Sequence, residues 1–228
     1  MYKRKLKPGD IFLILVNLIP LAGVVFRGWD PKQMFLIYCL ETVIIGLFNV
    51  IKMLVVIAYN PTRLWNIGNN ARSHGLFLVF FFIIHYGFFV FIQMSLFAGV
   101  SGIAENGSFG AFSFITRLPQ LLTPETKVVL YAFIGMYAFQ TTMDFILSGR
   151  YKLVPLNILM FAPYLRIVIQ QFVVILGSMF LQFGAGKIFM IIFVLIKLAF
   201  ELFVDYDRLL DKAAKMEAAE QKGEAQDV

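Results

Sequence analysis

Apolar residues in this chain come in long blocks broken by short polar connections. Six stretches, 10–27, 33–58, 75–99, 128–147, 164–183 and 187–206, are apolar over much of their length. Each is long enough, some only with their flanks, for a helix to cross the hydrocarbon core of a bilayer, which takes roughly 17–25 residues. The first is the weakest, being short and carrying Asn17 and Pro20. The pattern predicts an all-α fold, an integral membrane bundle of six transmembrane helices with short interfacial helices. Residues 1–9 form a basic N-terminus, 10–206 the transmembrane domain and 207–228 a charged C-terminal tail. The basic start followed by an apolar run has the outline of a signal peptide. Ala22 and Gly23 supply no convincing small-x-small cleavage site, so the first helix is expected to be retained.

The connections carry their own signals. Thr123–Thr126 reads Thr-Pro-Glu-Thr: a cap, a proline at the first helical position and an early acid, which together open a helix. Pro163 does the same for the fifth block. Ser108–Leu122 and Leu153–Tyr164 are too apolar to stand free in water, and are expected to lie along the bilayer surface as short helices or turns. Trp29, Tyr59, Trp65, Tyr164 and Tyr206 fall near block ends, where amphipathic rings favour the headgroup region.

Polar residues inside the blocks are the chemistry to explain. A charge at the centre of a spanning helix costs at least about 2.5–3.5 kcal/mol, and such groups face the protein interior and pair. Glu41, Asn49 and Lys52 lie in the second block. At about 100° per residue, position 52 returns to within roughly 20° of position 41, and 49 lies about 80° away, so the three share a stripe. The third block holds His85, Tyr86 and Gln93, and the fourth Gln140, Thr141, Thr142 and Asp144. The fifth holds Arg166, Gln170 and Gln171, and the sixth Lys197, Glu201 and Asp205 at four-residue spacing. Counting down each block at about 1.5 Å per residue puts Glu41, His85 and Lys197 near the midplane. Lys52, Asp144, Arg166, Glu201 and Asp205 come out closer to the cytoplasm. The neutral amides and threonines are expected to serve packing, at about 0.6 kcal/mol per contact. Arg166 can reach the headgroups by snorkelling. The charged groups cost more than packing returns, and Glu41, Lys197 and nearby His85 are expected to form one electrostatic layer.

Composition agrees with the blocks. The chain has 228 residues, 60% of them hydrophobic and 15% charged, against about 45–50% and 25% in a soluble domain. Cys39 is the only cysteine, so no disulfide forms within the chain. The net charge of +6 sits in short clusters between blocks, the distribution that sets membrane orientation rather than one that tracks a phosphate backbone. Nucleic acid is therefore not an expected partner. With the N-terminus in the cytoplasm, twelve Lys and Arg residues fall on that side and five on the other, the remaining three of the twenty lying within blocks. That bias predicts both termini inside, which an even number of spans also requires.

Catalytic templates are missing. The chain has no HExxH, no pair of cysteines, no GxSxG and no phosphate-cradling loop. His74 and His85 are eleven residues apart, about 16 Å along a helix, too far to share an ion. No catalytic residue, metal ligand set, haem or other cofactor is expected. Four stretches, IYCLETVIIGLFNVIKML, FFFIIHYGFFVFIQ, APYLRIVIQQFVVILGSM and VLIKLAFELFVDY, resemble a family of uncharacterised prokaryotic inner-membrane proteins. The similarity rests on Glu41, Asn49, Lys52, the HYG element at His85–Gly87, Pro163, Tyr164, Arg166 and Lys197. Members of that family have further histidines where this chain has Gln93, Gln170 and Asp205. The resemblance implies a prokaryotic plasma-membrane location, and the departure removes the histidine cluster that would gather a metal.

The polar seam then gives the functional expectation: translocation of a small solute, an ion or a proton along ionisable groups that line a path. The rival expectations are a membrane-embedded cofactor-binding enzyme using His85, Glu41 and Tyr86, and an accessory subunit whose seam is structural. Membrane lipids are the expected partners. Six spans are few for a transporter, so a second copy of the chain is expected as well.

Overall fold

Caps and prolines set where the helices begin. In this computed structural model, which describes residues 8–68, 71–101, 111–164, 166–168, 171, 183–203 and 212, α1 runs Pro8–Phe26 and α2 Pro31–Tyr59. Asp30 caps α2, its side chain accepting a hydrogen bond from the Lys32 N–H, and Pro31 takes the first helical position. A hairpin of β1 (Leu64–Gly68) and β2 (Ala71–His74) leads into α3 (Gly75–Ser101). The short α4 (Ala111–Leu121) precedes α5 (Pro124–Gln140), which Thr123 caps by accepting from the Thr126 N–H. Helix α5 continues without a break as a π segment, Thr141–Leu147. A 3-10 turn at Arg150–Lys152 and α6 (Leu156–Phe161) follow, and Gly186–Phe203 forms α7.

Among the described residues the regular structure is thus helical apart from one hairpin. Among the described residues, two helices are long and apolar enough to cross a membrane: α2, and α3 over Gly75–Gly99, with mean hydropathies of 2.2 and 2.4. The apolar part of α1, Asp10–Phe26, is shorter. Lys187, Lys197 and Glu201 interrupt the apolar run of α7, not the helix itself. Most of the fifth block and the tail lie outside the described residues, as do Gln170 and Asp205.

Helix α2 is the centre of the packing, touching α1, α3, α5, α6 and α7. Its first half is buried almost all round. Met34 to Cys39 form a continuous core run against Leu13, Val16, Phe133 and Phe193. The Phe35 ring lies 4.9 Å from Phe193 and 5.4 Å from Phe189, between centroids, so α7 is held to α2 by aromatic contact. The second half of α2 packs Met53 and Val56 against Phe82 and Tyr86 of α3 and against Trp65, Leu156 and Leu159. Gly46 lets α3 come close: a Cβ there would stand 2.5 Å from Cε1 of Tyr86. The outward faces remain apolar, with Leu47, Phe77, Phe80, Ile84, Phe88 and Leu195 all exposed.

Several expectations are corrected. The connection at 60–74 contains a hairpin, and His74 closes β2 rather than sharing a helix with His85. Trp65 is 2% exposed. It belongs to the second core cluster, with the Arg63 guanidinium 4.4 Å above its ring, and is not a surface anchor. The segment 153–164 does form a short helix. One face of it is packed inward, with Val154, Leu156, Leu159 and Met160 turned into the core, while Leu153 and Phe161 stay exposed. The fourth block keeps its cap but changes winding at Thr141, just where Gln140, Thr141 and Thr142 interrupt the apolar run.

Candidate functional site

The first turns of α2 leave Glu41 facing inward, with no solvent exposure, toward α5 and α7. An uncompensated carboxylate there would be expensive. Lys197 of α7 meets it, Nζ to Oε1 at 3.0 Å, with the two side chains 8% and 0% exposed. The same ammonium donates to Oδ1 of Asn17 in α1 at 2.6 Å. The Tyr137 hydroxyl of α5 donates to Glu41 Oε1 at 2.8 Å, and Nη1 of Arg166 donates to the Tyr137 oxygen at 3.2 Å. Five segments of the chain therefore converge on one hydrogen-bonded line: Arg166, Tyr137, Glu41, Lys197 and Asn17.

The surroundings explain how an ion pair survives in this core. Burying a charge costs several kcal/mol, and mutual attraction offsets this only when the geometry is good and further hydrogen bonds satisfy both ions. Lys197 has two oxygen acceptors and two aromatic faces, its Nζ lying 5.5 Å from the Tyr38 centroid and 5.8 Å from that of Phe133. The Asn17 amide is oriented by donating back to the Leu13 carbonyl at 2.9 Å, which turns Oδ1 toward the ammonium. Tyr38 fixes α1 against α2 by donating to the Asn17 carbonyl at 2.9 Å.

The other predicted seam residues divide between interior and surface. Asn49 is buried and donates to the Leu159 carbonyl of α6 at 3.1 Å. Lys52 is half-buried, its ammonium 5.7 Å over the Phe145 ring, and Asp144 is half-buried one residue before that ring. Tyr86 is buried against Gly46 and donates to the Thr42 carbonyl at 2.8 Å. Gln93 accepts from the Thr42 hydroxyl at 3.0 Å, while its buried Nε2 finds no partner among the described residues. Glu201 follows Lys197 by one turn of α7.

Two assignments change. His85 does not join Glu41 and Lys197; its ring is on the exposed side of α3, stacked on Phe81 and 2.7 Å from the Tyr164 hydroxyl. The reason lies in the opposing surface. His85 and Tyr86 are about 100° apart around the helix, and Tyr86 takes the space over Gly46, which leaves His85 on the exposed side. Arg166 does not snorkel outward but reaches in to Tyr137. Two members of the network, Asn17 and Tyr137, were not among the predicted site residues. Asn17 had a usable signal, an amide inside an apolar block; Tyr137 had none, since a tyrosine in such a block is ordinary packing material.

With this geometry in hand, comparison with known proteins places the chain. It belongs to DUF6498, a family of unknown function, whose pattern matches residues 1–225. No curated protein and no solved structure matches it. The expectation of a family without an assigned activity therefore holds. Among the described residues no three His, Cys, Asp or Glu side chains converge as a metal site would require.

Proposed function

We propose that this DUF6498 member is a multi-pass protein of a prokaryotic plasma membrane that translocates a small ion, with the proton as the best fit. Both termini lie in the cytoplasm in this reading. The observation that carries it is the unbroken hydrogen-bonded line from Arg166 through Tyr137, Glu41 and Lys197 to Asn17. In each link one group donates and its neighbour accepts, and at the centre stands a carboxylate–ammonium pair between which a proton can pass. Exposed phenylalanines and leucines around α2 and α3 support a lipid-facing surface, because soluble monomers rarely expose apolar area on that scale.

Alternating passage through the membrane has support of its own. The end of α1 and the start of α5 line one groove, so both stand at one side, as an outward first span and an inward fourth span require. The connections 60–74 and 148–163, both cytoplasmic in this reading, share one cluster, Trp65 packing with Val154 and Leu156. At that end Lys152 stands 5.8 Å over the Tyr59 ring. Labelling from outside intact cells, in a Cys39→Ala background, should modify a cysteine at Gly28 and leave one at Lys152 untouched. The reverse pattern overturns the topology.

The functional test is flux. Purified protein in vesicles loaded with a pH-sensitive dye should acidify or alkalinise the lumen under an imposed potential. Tyr137→Phe and Glu41→Gln/Lys197→Met should abolish that response while remaining folded. A second reading, an accessory subunit with a structural seam, is favoured by the closed, aromatic-walled pairing of Lys197. Absence of flux from well-folded protein decides for it.

A further inference from the structure

We propose that the groove between the end of α1 and the start of α5 holds one phospholipid with a zwitterionic phosphate–ammonium headgroup. The groove has a volume of about 660 Å³, within the range of about 300–1,000 Å³ common for small-molecule sites. Its walls are apolar, with Ile19, Ala22 and Phe26 from α1 and Val128 from α5, and at one end stand a single cation and a single carboxylate, Arg27 and Glu125. Phe26 is 84% exposed, more than any other large apolar side chain among the described residues, so this wall awaits an apolar cover.

The local fold builds the charged end. The Arg27 and Trp29 N–H groups both donate to the Gly23 carbonyl, at 3.0 and 3.1 Å, turning the chain back on α1. The Trp29 indole then lies where a side chain at position 23 would be: a Cβ there would stand 1.9 Å from Cε3 of Trp29. Glycine is required at that place, and the turn holds Arg27 at the groove. Glu125 sits in the first turn of α5, where its own backbone N–H and Thr123 hold its carboxyl below the usual range and keep it ionised. A groove with apolar walls and one charge of each sign fits an amphiphile whose headgroup carries both. The guanidinium fork suits a phosphate, and a primary ammonium brings three N–H donors to the Glu125 carboxylate, which a quaternary ammonium cannot do. Trp29 marks this level as the membrane–water boundary. The inference rests on the membrane reading above and is independent of translocation.

The experiment uses the full-length protein in detergent, with lipid retention followed by native mass spectrometry and thermal unfolding. The probes are dioleoyl phosphatidylethanolamine, phosphatidylcholine and phosphatidylglycerol. Phosphatidylethanolamine should be retained about two- to fivefold more than the other two, the discrimination expected of partly exposed charge pairs. Arg27→Gln and Glu125→Gln, both at exposed positions, should each remove that preference, and Ala22→Phe should fill the groove and prevent retention. Equal retention of the three lipids, or a preference untouched by both charge variants, overturns the proposal. Extraction of the protein from membranes by alkaline carbonate, without detergent, would instead sink the membrane reading itself, and this site with it.

Discussion

Glu41–Lys197 and His85–Tyr164 are both short polar contacts between apolar helical segments, 3.0 Å and 2.7 Å long. Their situations are opposite. The first is sealed inside, with Asn17, Tyr137 and two aromatic rings around it. The second sits on the outer side of α3 among Phe81 and Phe89, with the histidine exposed. A hydrogen-bond length does not measure importance. What differs is the cost of breaking each contact. In the interior a deserted ion loses its close counter-charge with no water to replace it, whereas an exposed imidazole can turn to whatever surrounds the protein.

The sharpest way to break this contrast is to strand one ion. Glu41→Gln or Lys197→Met alone should lower stability by about 3–5 kcal/mol, because each leaves a charge buried without its counter-ion. The double variant should lose clearly less than the sum of the two, as read by thermal unfolding in detergent. Simple additivity would mean that the pair is not one electrostatic unit. Tyr137→Phe comes next. It removes one charge-assisted hydrogen bond to Glu41 and should cost about 1.5–3 kcal/mol, with the loss largely absent when Glu41 is already Gln. A Tyr137→Phe effect that persists in that background would place its role in packing against Phe48 instead.

Gly46→Ala tests why Tyr86 rather than His85 occupies the core. The added methyl would overlap the Tyr86 ring and should cost about 1–3 kcal/mol. Pairing it with Tyr86→Leu should recover part of the loss. No recovery would show that the α2–α3 approach is set elsewhere. The smallest effect belongs to His85→Phe, which keeps the stack on Phe81 and gives up only the contact with Tyr164. A change within about 0.5 kcal/mol is expected, as for substitutions outside buried networks. A loss above about 2 kcal/mol would erase the distinction between the two sites.

Much of the layout was legible because it depends on one helix at a time. The Thr123–Pro124 cap, the proline opening of α2, and the inward stripe of Glu41 and Asn49 follow from local geometry that no neighbour alters. The pairing of Glu41 with Lys197 could be anticipated from depth and cost alone, since two opposite charges at one level have few other ways to be satisfied. The π segment at Thr141 was not visible, because a change of winding depends on what the adjoining helices press against it.

By itself the sequence determined that the chain is helical, where α2 and α5 begin, and that its charges must be buried in compensation. Rotation about each helix axis and the choice of neighbours were decided only by the tertiary structure. That choice put Tyr86 inward and His85 outward, although they are adjacent in the chain, and turned one face of 153–164 into the core. It also brought Asn17 and Tyr137 to an ion pair whose two members are 156 residues apart. Helical periodicity fixes the angle between two side chains on one helix. Which of them faces the interior depends on the shape of the opposing surface, in this case the space that Gly46 leaves open for an aromatic ring.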